Sequence, residues 1–130
     1  MASTVLVLLL LLVAGPAMAQ PAGCKDGTQI ELNDCTSRQA TAAEAEMNEV
    51  LRVIDGKLDA AGRARLAAAQ RAWAAYREQE CLFRTGGGTE AGGTIAPELL
   101  NECARNVTRE RIASLRAQLK CPGGDLSCPP

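Results

Sequence analysis

Beyond residue 28 the apolar positions fall into three blocks with helical spacing. In the first, Ala43, Met47, Val50, Leu51, Ile54 and Leu58 recur three and four residues apart, which marks one face of a helix. Thr28-Gln29-Ile30-Glu31 has the pattern of a capping box, in which the Thr28 hydroxyl accepts from the Glu31 amide and the Glu31 carboxylate reaches back to the Thr28 amide. A first helix is predicted to start there, with Gly56 loosening its far end. Asp59 is a suitable N-cap for a second helix, supported by Arg63 at i+4, while Gly62 is a weak point in its first turn. This helix is predicted to run to about Arg84. It carries the chain's one Trp, one Tyr and one Phe. Trp73, Tyr76 and Phe83, with Leu66 behind them, are expected to form the core spine. Arg77 and Glu80 lie on or beside that stripe. They are expected to pair with each other, with the Arg77 stem against Trp73 or Tyr76.

Thr85 to Thr94 interrupts the periodicity with five glycines in ten residues. Such a segment holds neither a helix nor a packed strand and predicts a mobile connecting loop. No Lys-Ser or Lys-Thr follows it and no dinucleotide fingerprint is present, so it is not a phosphate loop. Pro97 and Glu98 suit the first turn of a third helix. Its inward stripe is read as Leu100, Ala104, Val107, Arg111, Leu115 and Leu119, with Ile112 at the border. From Pro122 the chain is rich in Gly and Pro and should be irregular. The fold class is therefore all-α: a small antiparallel bundle of three main helices.

The N-terminal segment changes the picture of where this bundle operates. Val5 to Val13 is a continuous apolar run, too short to span a bilayer, broken by Gly15-Pro16 and followed by Ala17-Met18-Ala19. That is the pattern of a secretory signal peptide cleaved after Ala19, leaving residues 20–130 as one domain in the periplasm or outside the cell. Pro21-Ala22-Gly23 before Cys24 does not match a lipid-attachment box, so neither anchoring at Cys24 nor stable membrane insertion is expected. The net charge of −1 gives no strongly basic face for nucleic acid.

All six cysteines lie beyond the cleavage point: Cys24, Cys35, Cys81, Cys103, Cys121 and Cys128. In an oxidising compartment they are expected to form disulfides. Pairing nearest neighbours would tie the lead-in to the first helix, pin the base of the Gly-rich loop and close the tail, although six cysteines allow fifteen pairings. The chain has no His and no Cys-x-x-Cys, which argues against a zinc site. Neither metal nor cofactor is expected. Without His the usual bases are missing, Glu78 and Glu80 point to different helix faces, and Ser37, Ser114 and Ser127 have no recognisable partner. An enzyme is not expected.

Several blocks taken together resemble the LprI-like lysozyme-inhibitor family of small exported bacterial proteins. They are Thr28-Gln29-Ile30-Glu31-Leu32-Asn33-Asp34-Cys35, Ala45-Glu46-Met47-Asn48, Ala68-Ala69-Gln70-Arg71-Ala72-Trp73-Ala74-Ala75-Tyr76-Arg77-Glu78-Gln79-Glu80-Cys81, Gly93-Thr94-Ile95-Ala96-Pro97, Cys103 and Thr108-Arg109-Glu110-Arg111. The resemblance covers about Cys24 to Leu119, and the final cysteine pair is an addition to it. It implies an all-helical, disulfide-bonded domain that binds lysozyme and protects the bacterial wall. An inhibitor must block the cleft in which lysozyme's two carboxyl groups act. Many lysozymes are strongly basic, so the Gly-rich loop, with Thr89, Glu90 and Thr94, is the expected contact. The alternative is a general envelope binding or stress module with a partner other than lysozyme.

Overall fold

The computed structural model describes residues 23–88 and 92–121. The expected signal peptide, Thr89, Glu90 and the tail from Pro122 with Cys128 lie outside those residues. Three long helices make up the described fold: α1 (Gln29–Asp55), α2 (Ala60–Arg84) and α3 (Ala96–Leu119), with a 3-10 turn, Gly93–Ile95, leading into α3.

Local chemistry starts each helix. At α1 the Thr28 amide donates to Glu31 Oε2 at 2.7 Å and the Glu31 amide to Thr28 Oγ1 at 3.4 Å, completing the capping box. At α2 the Gly62 amide donates to Asp59 Oδ1 at 2.6 Å. Gly62 is not a weak point. It is buried, and a Cβ there would stand 3.1 Å from Leu58 Cβ, so the glycine lets the α1–α2 turn close tightly. At α3, Pro97 sits in the first turn, where its missing N–H costs nothing.

The cross-links fix the topology. Gln29 of α1 donates to Glu98 of α3 at 2.6 Å, and further along Glu46 pairs with Arg116 at 2.8 Å. α1 and α3 therefore run parallel. Cys81 is bridged to Cys103 and Arg111 donates to Gln70, so α2 runs antiparallel to both. The turn after α1 lies at one end of the bundle. The Gly-rich loop and the starts of α1 and α3 lie at the other, here called the loop end.

Most of the aliphatic core is made by α1 and α3. Met47, Val50, Ile54 and Leu58 meet Ile112 and Leu115, with Leu51, Leu66, Trp73 and Leu119 packed against them. Ile112 is 3 % exposed, so the inward face of α3 is centred nearer Ile112 than the sequence suggested, and Ala104 is only half-buried.

The expected core spine on α2 needs correction. Leu66 and Trp73 do pack against the core, but Tyr76 is 52 % and Phe83 82 % exposed. The inward line of α2 runs through Gly62, Leu66, Gln70, Trp73, Arg77 and Cys81. At about 100° per residue, Tyr76 and Phe83 lie about 60° and 80° to one side of Trp73, on the flank away from Arg77. The aromatics share a face, but that face is not centred on the core.

Arg77 fills the inward line instead. Its guanidinium stacks over the Trp73 ring at 5.1 Å, donates to Thr108 Oγ1 at 3.1 Å and pairs with Glu44 at 2.7 Å. Its partner is thus Glu44 and not Glu80, which pairs with Arg84 at 2.7 Å. Arg111 lies 6.0 Å from the same ring, and burial pushes its guanidinium pKa down. Among the described residues no buried side-chain polar atom lacks a partner, as a tightly packed interior requires.

Candidate functional site at the loop end

Both bridges between described cysteines lie at the loop end. Cys24–Cys35 ties the lead-in to α1, and Cys81–Cys103 ties the last turn of α2 to α3 with a Cα–Cα distance of 5.6 Å. Cys121 is disulfide-bonded too, and Cys128, its expected partner, lies outside the described residues.

The frame of the Gly-rich loop is built from main-chain bonds. Thr85 caps α2, its amide and hydroxyl both donating to the Cys81 carbonyl at 3.1 and 2.7 Å. Gly86, Gly87 and Gly88 then follow with φ of 75°, 104° and 82°, a run of left-handed backbone open to glycine at little cost. The Gly87 amide donates to the Leu82 carbonyl at 2.8 Å, and the Gly92 amide to the Gly88 carbonyl at 3.2 Å, closing the loop's base. On the far side Asn33 of α1 donates to the Thr94 carbonyl at 3.0 Å. The described arms of the expected mobile loop are therefore fastened to α1 and α2.

Of the expected contact residues, Thr94 is exposed at this end, while Thr89 and Glu90 fall outside the described residues. Beside the loop stand side chains that the periodicity did not single out as contacts. Ile30 and Phe83 are each 82 % exposed, and Ile95 and Leu99 are also among the exposed large apolar residues. A cleft of about 580 Å³ opens between α2 and α3 next to the Cys81–Cys103 bridge, lined by Ala74, Ala75, Ala104, Leu82 and Leu100. Ile30 shares the first turn of α1 with Leu32, so its position in the sequence does not by itself mark it as exposed. Phe83 lies on the aromatic face of α2, and that face turns outward here.

Charge is segregated along the molecule. Asp26, Glu31, Asp34, Glu78, Glu80, Glu98 and Glu102 lie toward the loop end, against Lys25, Arg38, Arg77 and Arg84. Three of those cations are engaged, Arg38 with Asp34, Arg77 with Glu44 and Arg84 with Glu80. Along the rest of α3 the balance reverses, with Arg105, Arg109, Arg111, Arg116 and Lys120 against Glu110. Apolar side chains set in an acidic surround, on a covalently stapled frame, make a surface suited to recognising a basic protein.

The comparison with known families settles the kinship. A family model described as lysozyme inhibitor LprI matches residues 22–115. The chain belongs to the LprI family. An uncharacterized protein of Rhizobium meliloti (strain 1021) is 37 % identical over 125 residues, covering 83 % of this chain and 88 % of its own length. No solved structure matches the chain. The LprI match spans both described disulfides, the Gly-rich segment and the seam around Trp73. No helix among the described residues is long and apolar enough to cross a membrane.

Proposed function

We propose that this LprI-family chain is an exported binding domain that inhibits lysozyme, and that the loop end is the face it presents. The observation that carries the reading is the coincidence, at one end of the bundle, of four exposed large apolar side chains with an excess of carboxylates. A basic lysozyme would be steered to that end by charge and held there by burial of Phe83, Ile30 and Ile95. The disulfides lower the ordering cost of such a contact by fixing the ends of the helices beforehand. The acidic Glu90 belongs to the same segment and adds to the steering.

The test is lysis of a cell-wall suspension by c-type lysozyme, with and without the purified, oxidised chain from Gln20 onward. Dose-dependent slowing of lysis is expected. It should weaken for Phe83→Ala and for Glu90→Ala. No slowing at large excess overturns the inhibitor reading for this lysozyme class. Full inhibition by both variants leaves inhibition standing but removes the loop end as the contact.

A further inference from the structure

A second feature lies away from the loop end. Between α1 and α3 runs a groove of about 770 Å³ whose α3 wall carries Arg105, Arg109, Arg116 and Lys120. These four project within about 60° of one another around the helix and extend over about 22 Å of its length. The α1 wall offers Gln39 and one carboxylate, Glu46. Glu46 is engaged by Arg116 at 2.8 Å, and Arg105 is held by Gln39 and by Asn106. Among the described residues the side chains of Arg109 and Lys120 have no hydrogen-bond or ion-pair partner. Ile112, Ala113 and Ala117 give the floor a low apolar profile.

The structure thus holds an elongated, concave row of cations in a protein whose overall charge is −1. Like charges along one wall repel one another unless an anion lies among them. Arg105 and Arg116 are held in place by side chains of the protein, which leaves the Arg109 and Lys120 side chains to receive a ligand's acceptor oxygens first. The shape excludes some partners. A bilayer surface is broad and flat, whereas this wall is recessed beside α1. A single-stranded nucleic acid would want aromatic side chains for its bases, and all three aromatics of the chain are on α2. We infer that the groove binds an extended anionic glycan, its carboxylates lying along Arg105, Arg109, Arg116 and Lys120. This site is separate from the loop end and does not depend on the lysozyme reading.

Binding of a linear oligogalacturonate to the oxidised chain, followed by calorimetry at low salt, tests the inference. The controls are the methyl-esterified oligomer, which keeps the sugar backbone and loses the charge, inorganic polyphosphate, and anionic phosphatidylglycerol vesicles. Binding to the free acid is expected, weakening as salt is raised and lost on esterification. The double variant Arg109→Glu with Lys120→Glu turns two attractions into repulsions and should weaken binding by about tenfold or more. Glu46→Gln releases Arg116 and should tighten it. Neither variant should alter inhibition of lysozyme, which separates this result from a failure at the loop end. Absent binding, equal binding of the ester, or unchanged affinity in a double variant with an intact helical spectrum would overturn the assignment. Capture of polyphosphate or vesicles but not of the glycan would overturn it as well.

Discussion

At the end of the bundle away from the loop, Met47, Val50 and Ile54 of α1, with Leu58 of the following turn, close against Ile112 and Leu115 of α3. At the loop end the same two helices meet through Gln29 and Glu98, Thr36 and Asn101, and Asn33 with the Thr94 carbonyl. The second core cluster, toward that end, is little more than Cys81, Cys103 and Val107 with Trp73 and Leu100 beside them. One end is held by burial of aliphatic carbon. The other keeps Ile30, Phe83, Ile95 and Leu99 outside and is held by disulfides and polar side chains. An end that turns its large apolar side chains outward must find its cohesion elsewhere, and in a domain this small covalent bridges supply it.

That contrast breaks most readily at its strongest points. Leu115→Ala removes a side chain 3 % exposed and should cost about 3 kcal/mol of unfolding free energy, read from the urea midpoint. Inhibition should persist wherever the variant is folded, because the loop end keeps its bridges. Replacing Cys81 and Cys103 together with Ser releases a 22-residue closure and should cost up to about 3 kcal/mol in the chain-entropy picture. Its signature differs in kind. Amide exchange should quicken at Leu82 to Gly88 and in the first turns of α3, and inhibition should fall even under conditions where the far end remains folded. Equal losses of protection at both ends would erase the distinction drawn above.

The amount legible in the sequence follows the same division. Helix starts at Thr28 and Asp59 could be read because caps are local chemistry, and the helical class followed from three apolar blocks at 3.6-residue spacing. The α1 stripe was legible because aliphatic residues there face a single partner surface. α2 was harder. Its sequence is rich in Ala with scattered charge, and the middle of its inward line is Gln70, Trp73 and Arg77, polar or amphipathic residues whose burial depends on partners in other helices. Nothing local says that Arg77 reaches Glu44 and Thr108, so a nearby acid at i+3 was the natural guess. The exposed flank of Tyr76 and Phe83 was misread for the same reason: aromatic spacing gives a face, and only the neighbours decide which way it turns. The loop-end surface was legible in part, through the glycines, but Ile30 and Ile95 became visible only when the starts of α1 and α3 were brought side by side.

A smaller effect is expected where α2 docks through polarity. Arg77→Met keeps much of the stem over Trp73 but deprives the fully buried Thr108 hydroxyl of its donor and frees Glu44, which is half-exposed and can be rehydrated. The loss should be about 1–2 kcal/mol, accompanied by a change in Trp73 fluorescence as one of its two cations leaves the ring. Adding Glu44→Gln to this variant should cost little more, since the pair is already broken. Additive losses would mean that Glu44 contributes to α1 by some route other than Arg77. Phe83→Ala sits lower still on the stability scale, within about 0.5 kcal/mol, and sharpens the contrast from the other side: little change in folding, with a marked loss of inhibition.

The most local expected effect concerns the capping box that opens α1 beside the Cys24–Cys35 bridge. The Thr28 amide and then its hydroxyl hold the Glu31 carboxyl below its ordinary pKa of 4.5. A carboxyl whose pKa is lowered by folding stabilises the fold above its unfolded value, and that contribution is lost as pH falls through the lower, folded value. Below about pH 4.5 the first turn of α1 should therefore loosen while the rest of the helix holds, seen as faster exchange of the amides from Gln29 to Leu32. The Cys24–Cys35 bridge keeps the lead-in close, so the change stays local. Glu31→Gln preserves an acceptor for the Thr28 amide and removes the charge that titrates, so it should flatten this part of the pH response without abolishing the cap. Thr28→Ala removes the cap itself at a cost of about 1 kcal/mol at neutral pH. If Glu31→Gln and the natural chain lose protection in α1's first turn alike on acidification, the Glu31 carboxylate is not the source of the loosening, and the polar fastening of the loop end is shared across α1 and α3 rather than seated in its cap.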